Sequence, residues 1–180
     1  AQPADIYMSE CLGTNAAFYG VLKVTADMAT VLGEKKAAKK YAQKAEALKQ
    51  AINDKFWMEE EGFYANYYYG RQNISMLERS ETLGESFCVL FGIADEERAA
   101  RVISSMHVGE FGPPILSPQI VDQGDYHNNG VWPYVTSFWG KAAAQVENEK
   151  AVMHALACNV RTASLYATNY ENYTFNTGNP

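Results

Sequence analysis

The sequence predicts an all-α chain arranged as three successive antiparallel α-hairpins. Two observations carry this expectation. Apolar side chains recur at helical spacing through six stretches. The links between those stretches alternate in length: those after Leu32, Phe91 and Val146 span a few residues, whereas those at 57–79 and 107–129 are long. Short links join antiparallel neighbours. A length of 180 residues, 47% of them hydrophobic, suits one domain with a substantial core.

Each helix has its own signature. Phe18, Val21, Leu22, Thr25, Met28, Ala29 and Leu32 mark an apolar stripe on the first, and Gly33 is its stop signal. The second carries Ala37, Tyr41, Ala45, Leu48, Ile52 and Phe56. Lys35, Lys36, Lys39, Lys40, Lys44 and Lys49 surround these residues as a solvated face. Leu83, Phe87, Leu90 and Phe91 define the third, ending at Gly92. Asp95 is an N-cap for the fourth, which holds Ala99, Val102, Ile103 and Met106. The fifth runs from about Val131 to Val146, with Pro133 suited to its first turn. The sixth starts near Asn148 and carries Val152, Leu156, Val160 and Ala163.

Alternating helix direction has a geometric consequence. Both long loops, residues 1–12 and the segment after the sixth helix all fall at one end of the bundle. That end gathers Trp57, Phe63, Tyr64, Tyr67, Tyr68, Tyr69 and Arg71 from one loop. From the other it gathers Pro113, Pro114, Ser117, Pro118, Gln119, Asp122, Asp125, Tyr126, His127, Asn128 and Asn129. Long loops in a compact domain are usually functional or disordered, and this aromatic content argues for function.

Charge and cysteine usage narrow the partners. A net charge of −6 argues against nucleic acid and against an anionic membrane surface. No apolar run approaches the roughly 20 residues that span a bilayer, and no basic-then-apolar leader is present. Cys11, Cys88 and Cys158 are too few and too widely spaced for a disulfide framework or a metal site, and read as core residues. No motif implies a metal or an organic cofactor. The cysteines leave the compartment open.

The chemistry concentrates in two short segments. Tyr170-Glu171-Asn172-Tyr173 places one carboxylate among aromatic and amide side chains. Tyr126-His127-Asn128-Asn129-Gly130-Val131-Trp132-Pro133 packs aromatic, imidazole and amide groups into the start of a helix. Rings that stack on sugar faces, with polar groups for the hydroxyls, make a concave sugar site. Glycoside hydrolysis needs two carboxyl groups. Glu171 suits one role, and Glu10, Asp5, Glu81 and Asp125 are candidates for the other. The plainer readings make Glu171 a solvated residue, Glu81 a complement to a helix dipole and Asp125 a turn residue. His107, His154 and Trp139 read as structural.

These segments resemble the six-hairpin glycosidases with an (α/α)6 toroid, in particular glycoside hydrolase family 63 and the mannosylglycerate-hydrolase-like group. Asp5-Ile6-Tyr7-Met8-Ser9, Leu32-Gly33-Glu34, Phe56-Trp57 through Gly62-Phe63-Tyr64, and Ser80-Glu81-Thr82-Leu83-Gly84 follow that group's order. Tyr126 to Pro133 resembles its sugar-pocket block, with Asn129 inserted before Gly130. Tyr170-Glu171-Asn172-Tyr173 with Thr177-Gly178 resembles its general-base segment. The resemblance implies part of an (α/α)6 toroid over residues 1–180, a single partial catalytic domain. It also implies an inverting hydrolase of α-linked gluco- or manno-configured sugars, with Glu171 as general base. Tyr126, His127, Asn128, Trp132, Asp125, Glu10 and Trp57 are the expected substrate contacts.

The general acid of that group is an Asp upstream of the Asp5 region. The expectation is therefore a fragment, inactive by itself. Its exposed apolar seam would meet the rest of the parent domain or a second copy, and the parent would be periplasmic or secreted. Two other readings stand beside this one: a toroid lyase or sugar epimerase using Tyr126 and His127 as proton shuttles, and a non-catalytic glycan-binding helical module.

Overall fold

A computed structural model describes residues 9–70, 74–124 and 126–180. In chain order the elements are β1 (Glu10–Cys11), α1 (Leu12–Val31), α2 (Lys35–Phe56), β2 (Trp57–Met58), β3 (Phe63–Tyr64), β4 (Tyr67–Tyr69), β5 (Ser75–Leu77) and β6 (Ser80–Glu81). There follow α3 (Thr82–Leu90), α4 (Glu96–Ser105), β7 (Leu116–Ser117), β8 (Gly130–Val131), α5 (Pro133–Gln145), α6 (Glu149–Tyr166) and β9 (Tyr173–Thr174). Helix dominates, in three consecutive hairpins. The strict all-α expectation is corrected by short strands in both long loops and at both ends of the described chain.

The helices begin and end where their chemistry requires. Gly33 and Gly92 take φ of 77°, the left-handed turn that ends α1 and α3 and that a side chain would resist. Asp95 Oδ1 accepts from the Arg98 N–H at 2.9 Å and caps α4. Asn148 Oδ1 accepts from the Ala151 N–H at 3.0 Å and caps α6. Pro133 opens α5.

Helices α1, α3 and α5 pack side by side, and each hairpin's second helix lies outside them. The core runs between the layers: Leu12, Tyr19 and Leu22 from α1, Ile52 and Phe56 from α2, Cys88 and Val89 from α3, Val102 and Ile103 from α4, and Trp139 from α5. Cys88 and Cys158 are buried and Cys11 is half-buried, all as free thiols. The stripe expected to be the buried face of α1 needs correction. Leu22 and Ala29 are buried, but Phe18, Val21, Met28 and Leu32 are exposed. Helix α1 is apolar on two sides, and the side facing α2 and α3 is lined by Leu12, Ala16, Tyr19, Leu22, Ala26 and Ala29. The other side forms, with Phe87 and Leu90 of α3 and Phe91 just after it, an open groove of about 650 Å³.

The strands share one end of the bundle, knitted by backbone hydrogen bonds. Leu12 N–H donates to the Asn66 carbonyl at 2.9 Å, and Asn66 N–H to Arg79 at 2.9 Å. Thr82 N–H donates to Ile115 at 3.1 Å, Ile115 N–H to Gly130 at 3.0 Å, and Phe175 N–H to Asn129 at 3.2 Å. Strand β6 pairs antiparallel with β7, and β8 with β9 in the register Gly130↔Thr174, Val131↔Tyr173. The entries to α1, α3 and α5, both long loops and the segment after α6 thus meet on one face.

Candidate active site

The β8–β9 pair builds the site. Trp132 directly follows β8 and Glu171 lies two residues before β9, so the register brings together segments about forty residues apart. Tyr173, fully buried, fixes the turn that carries Glu171. Its hydroxyl accepts from the Tyr170 N–H at 3.0 Å and faces the Thr168 carbonyl at 3.5 Å, on either side of the bend. Its ring stacks on Tyr166 at 5.7 Å. Gly178, with φ of 68°, closes the following turn beneath the Phe111 ring. The Tyr166 hydroxyl donates to the Gly178 carbonyl at 2.9 Å. Phe175 rests against His107 and the backbone of Gly109. The Thr177-Gly178 signature therefore serves to hold the Glu171 segment against the 107–114 loop.

The second segment supplies the wall. Trp132 is 7% exposed and acts as a buried base rather than an open stacking platform. Its Nε1–H donates to the Tyr126 carbonyl at 2.9 Å. Three rings rest on it: Tyr126 edge-on at 4.7 Å, His127 nearly parallel at 5.7 Å, and Tyr134 edge-on at 5.8 Å. These three rings are the exposed ones. Asn128 and Asn129 are buried. The Asn128 amide accepts from the Ile120 N–H at 2.8 Å and donates to the Ile120 carbonyl at 2.9 Å. Its hydrogen-bonding capacity goes to holding the loop, and Asn129 is tied to Gln119.

Electrostatics link the two segments. The neighbouring Glu171 carboxylate, an acceptor for its proton, pushes the Tyr126 phenol pKa up and keeps it protonated. Tyr134 is pushed up too, by burial first and then by the Glu81 and Glu171 carboxylates. Glu81 sits at the N-terminus of α3. Its two oxygens accept from the Leu83 N–H at 3.0 Å and the Gly84 N–H at 2.7 Å. Burial nonetheless raises its pKa, against the pull of those two N–H groups. One turn on, Glu85 is fully buried, accepts from the Tyr64 N–H at 2.8 Å and is raised well above the usual carboxylate range by burial.

The remaining sequence candidates lie elsewhere. Glu10 is ion-paired with Lys55 at 2.6 Å. Trp57 donates to Glu59 at 2.6 Å and lies under the Arg98 and Arg101 guanidinium groups. Of the aromatic loop, Tyr64 is core and donates to Asn53 at 2.6 Å, while Tyr68 donates to the Lys55 carbonyl at 2.6 Å. Asp5, Arg71 and Asp125 lie outside the described residues. Among the described residues no group of three His, Cys, Asp or Glu could hold a metal ion. Tyr134 is the site residue that the sequence reading missed. Its signal was its place two residues after Trp132, on the first turn of α5.

The family model of the mannosylglycerate hydrolase MGH1-like glycoside hydrolase domain matches residues 3–180. Among solved structures, the chain is similar to a GH63 mannosylglycerate hydrolase from Thermus thermophilus in complex with glucose. The TM-score is 0.77 and the identity 15%, over 95% of this chain and 41% of that one. An uncharacterized conserved protein from the same organism gives 0.75 and 14%, over 95% and 44%. A sialidase gives 0.76 and 18%, over 94% and 17%. At these identities the likeness shows the fold, and the chain spans less than half the length of each of these structures.

Proposed function

Since the chain belongs to the mannosylglycerate hydrolase MGH1-like glycoside hydrolase domain family, we propose that it carries the general-base half of an inverting glycosidase for α-linked gluco- or manno-configured sugars. The supporting observation is the β8–β9 register, which unites Glu171 with the Tyr126–Trp132 wall. Glu171 would take a proton from water as the water attacks the anomeric carbon. Tyr126, kept protonated by that carboxylate, would donate to Glu171 and orient it. His127 and Tyr126, backed by Trp132, would face the sugar. An acid from outside residues 1–180 would protonate the departing oxygen. An inverting pair stands about 6.5–9.5 Å apart, with room for that water. A lyase using Tyr126 as base would need the phenolate, which the Glu171 carboxylate opposes.

In this reading the three hairpins are part of an (α/α)6 ring, and further hairpins of the same domain cover the α1–α3 groove. The test is Glu171→Gln in the whole protein. Loss of a general base lowers kcat by about 10²–10⁴-fold, with folding and sugar binding retained. Unchanged turnover would reject the assignment.

A further inference from the structure

We propose that the α1–α2 turn and the lysine face that opens α2 form a docking surface for an anionic phospholipid membrane, at the end of the bundle opposite Glu171. This surface is separate from the sugar site and stands whether or not the chain is a glycosidase. The net charge of −6 is an average over an uneven distribution. Residues 35–44 carry Lys35, Lys36, Lys39, Lys40 and Lys44 and no acid, and all five lysines are exposed. Among the described residues no side-chain hydrogen bond or ion pair engages Lys35, Lys36, Lys39 or Lys44, and Lys40 lies over the Tyr41 ring at 5.9 Å.

Helix stability does not account for this arrangement. A helix N-terminus favours acids and disfavours cations. Helix α4 opens with Glu96 and Glu97 and α6 with Glu149, whereas the first turn of α2 holds no acid. Lys35 and Lys39, Lys36 and Lys40, and Lys40 and Lys44 are four residues apart, where like charges repel. The lysines thus oppose the helix that carries them, and an anionic partner would relieve that cost.

The turn beside them is apolar and uncovered. Val31 is 87% exposed and Leu32 73%. Both lie beyond the α1–α3 groove, whose lining on α1 ends at Met28. In the α3–α4 turn, by contrast, Ile93 is fully buried. An aliphatic tip beside a basic face suits a lipid interface, where acyl chains take the tip and headgroups the ammonium groups. Soluble polyanions offer nothing to Leu32. Single-stranded nucleic acid would in addition call for exposed rings on which bases stack, and Tyr41, the aromatic residue of this stretch, is half-buried. The 22 residues of α2 span about 33 Å. A membrane held at Leu32 and Lys36 therefore leaves the site end, where α2 finishes at Phe56, facing away.

The test is cosedimentation of the whole protein with vesicles of phosphatidylcholine containing about one third phosphatidylglycerol. Vesicles of phosphatidylcholine alone and a soluble sulfated polysaccharide serve as the other arms. Binding is expected to the anionic vesicles, weakening as salt shortens the reach of the charges. Lys36→Gln with Lys40→Gln should lower partition roughly tenfold or more at low salt, with the melting temperature kept or raised because a repelling pair is gone. Leu32→Ser should lower it several-fold, by an amount that survives high salt. Failure of the whole protein to bind the anionic vesicles overturns the inference, as does binding unmoved by either change. Binding to the polysaccharide that matches the vesicles and ignores Leu32→Ser makes the partner a soluble polyanion and overturns the lipid assignment. A fall of several degrees in melting temperature with Leu32→Ser would mean that the tip packs inside the whole protein, and overturns it too.

Discussion

Glu171 is exposed, yet the residues around it are not free to move. Tyr173 holds its bend from below through the Tyr170 amide. Tyr173→Phe removes that acceptor from a buried site, and a lost hydrogen bond of this type costs about 1 kcal/mol. The expected outcome is a slightly lower urea midpoint with a larger, several-fold fall in kcat, because the Glu171 turn loosens. Glu85 makes a second prediction at this scale. Burial raises its folded pKa well above the usual range, so the folded chain keeps a proton that the unfolded chain releases near the ordinary value of 4.5. Its stabilising contribution is therefore full below that value and is lost as pH rises toward the folded pKa, at up to about 1.4 kcal/mol per pH unit. Urea midpoints at pH 5 and pH 8 should differ more in wild type than in Glu85→Gln. Glu171, Tyr126 and His127 were legible because they stand in short motifs. Trp132 and Asn128 were legible as site neighbours but not as buried supports, since burial depends on what the 107–129 loop packs against.

At the scale of the elements, the helices follow from periodicity and punctuation. Asp95, Asn148, Pro133, Gly33 and Gly92 each mark the boundary where the structure has one. Asp95→Ala should cost about 1 kcal/mol of stability, measured by thermal unfolding, because the Arg98 amide loses its cap. The helix contacts were less visible. Helices α1 and α3 approach closely at Gly13 and Gly84: a Cβ on Gly84 would fall 3.0 Å from the Gly13 backbone and crowd Glu81. Gly84→Ala is expected to destabilise by about 1–3 kcal/mol, the usual cost of overpacking, and to disturb the site from a position outside it. The short strands went unseen because two or three residues show no period of their own. They exist because neighbouring loops at one end satisfy each other's backbone groups.

Across the whole molecule, the exposed face of α1 and the groove beside α3 stand out. Val21, Val24 and Met28 are each more than half exposed, beside Phe87 and Phe91. A contiguous apolar surface of this kind marks an interaction site. Val21→Glu separates two situations. In the residue 1–180 chain it should leave thermal stability nearly unchanged and reduce self-association on size-exclusion chromatography. In the whole protein, with further hairpins covering the groove, the same change should lower the melting temperature. Equal effects in both would argue that nothing covers this face. The sequence alone determined the six helices, their pairing into hairpins and the common end of the long loops, because helical period and link length are local properties. It also singled out Glu171 and the Tyr126 block. Only the tertiary structure decided which of two apolar faces of α1 is buried, that Glu10 and Trp57 serve Lys55 and the Arg98–Arg101 pair, and that Tyr134 rests on Trp132. Those outcomes depend on which side chains meet across the fold, and no spacing along the chain records that.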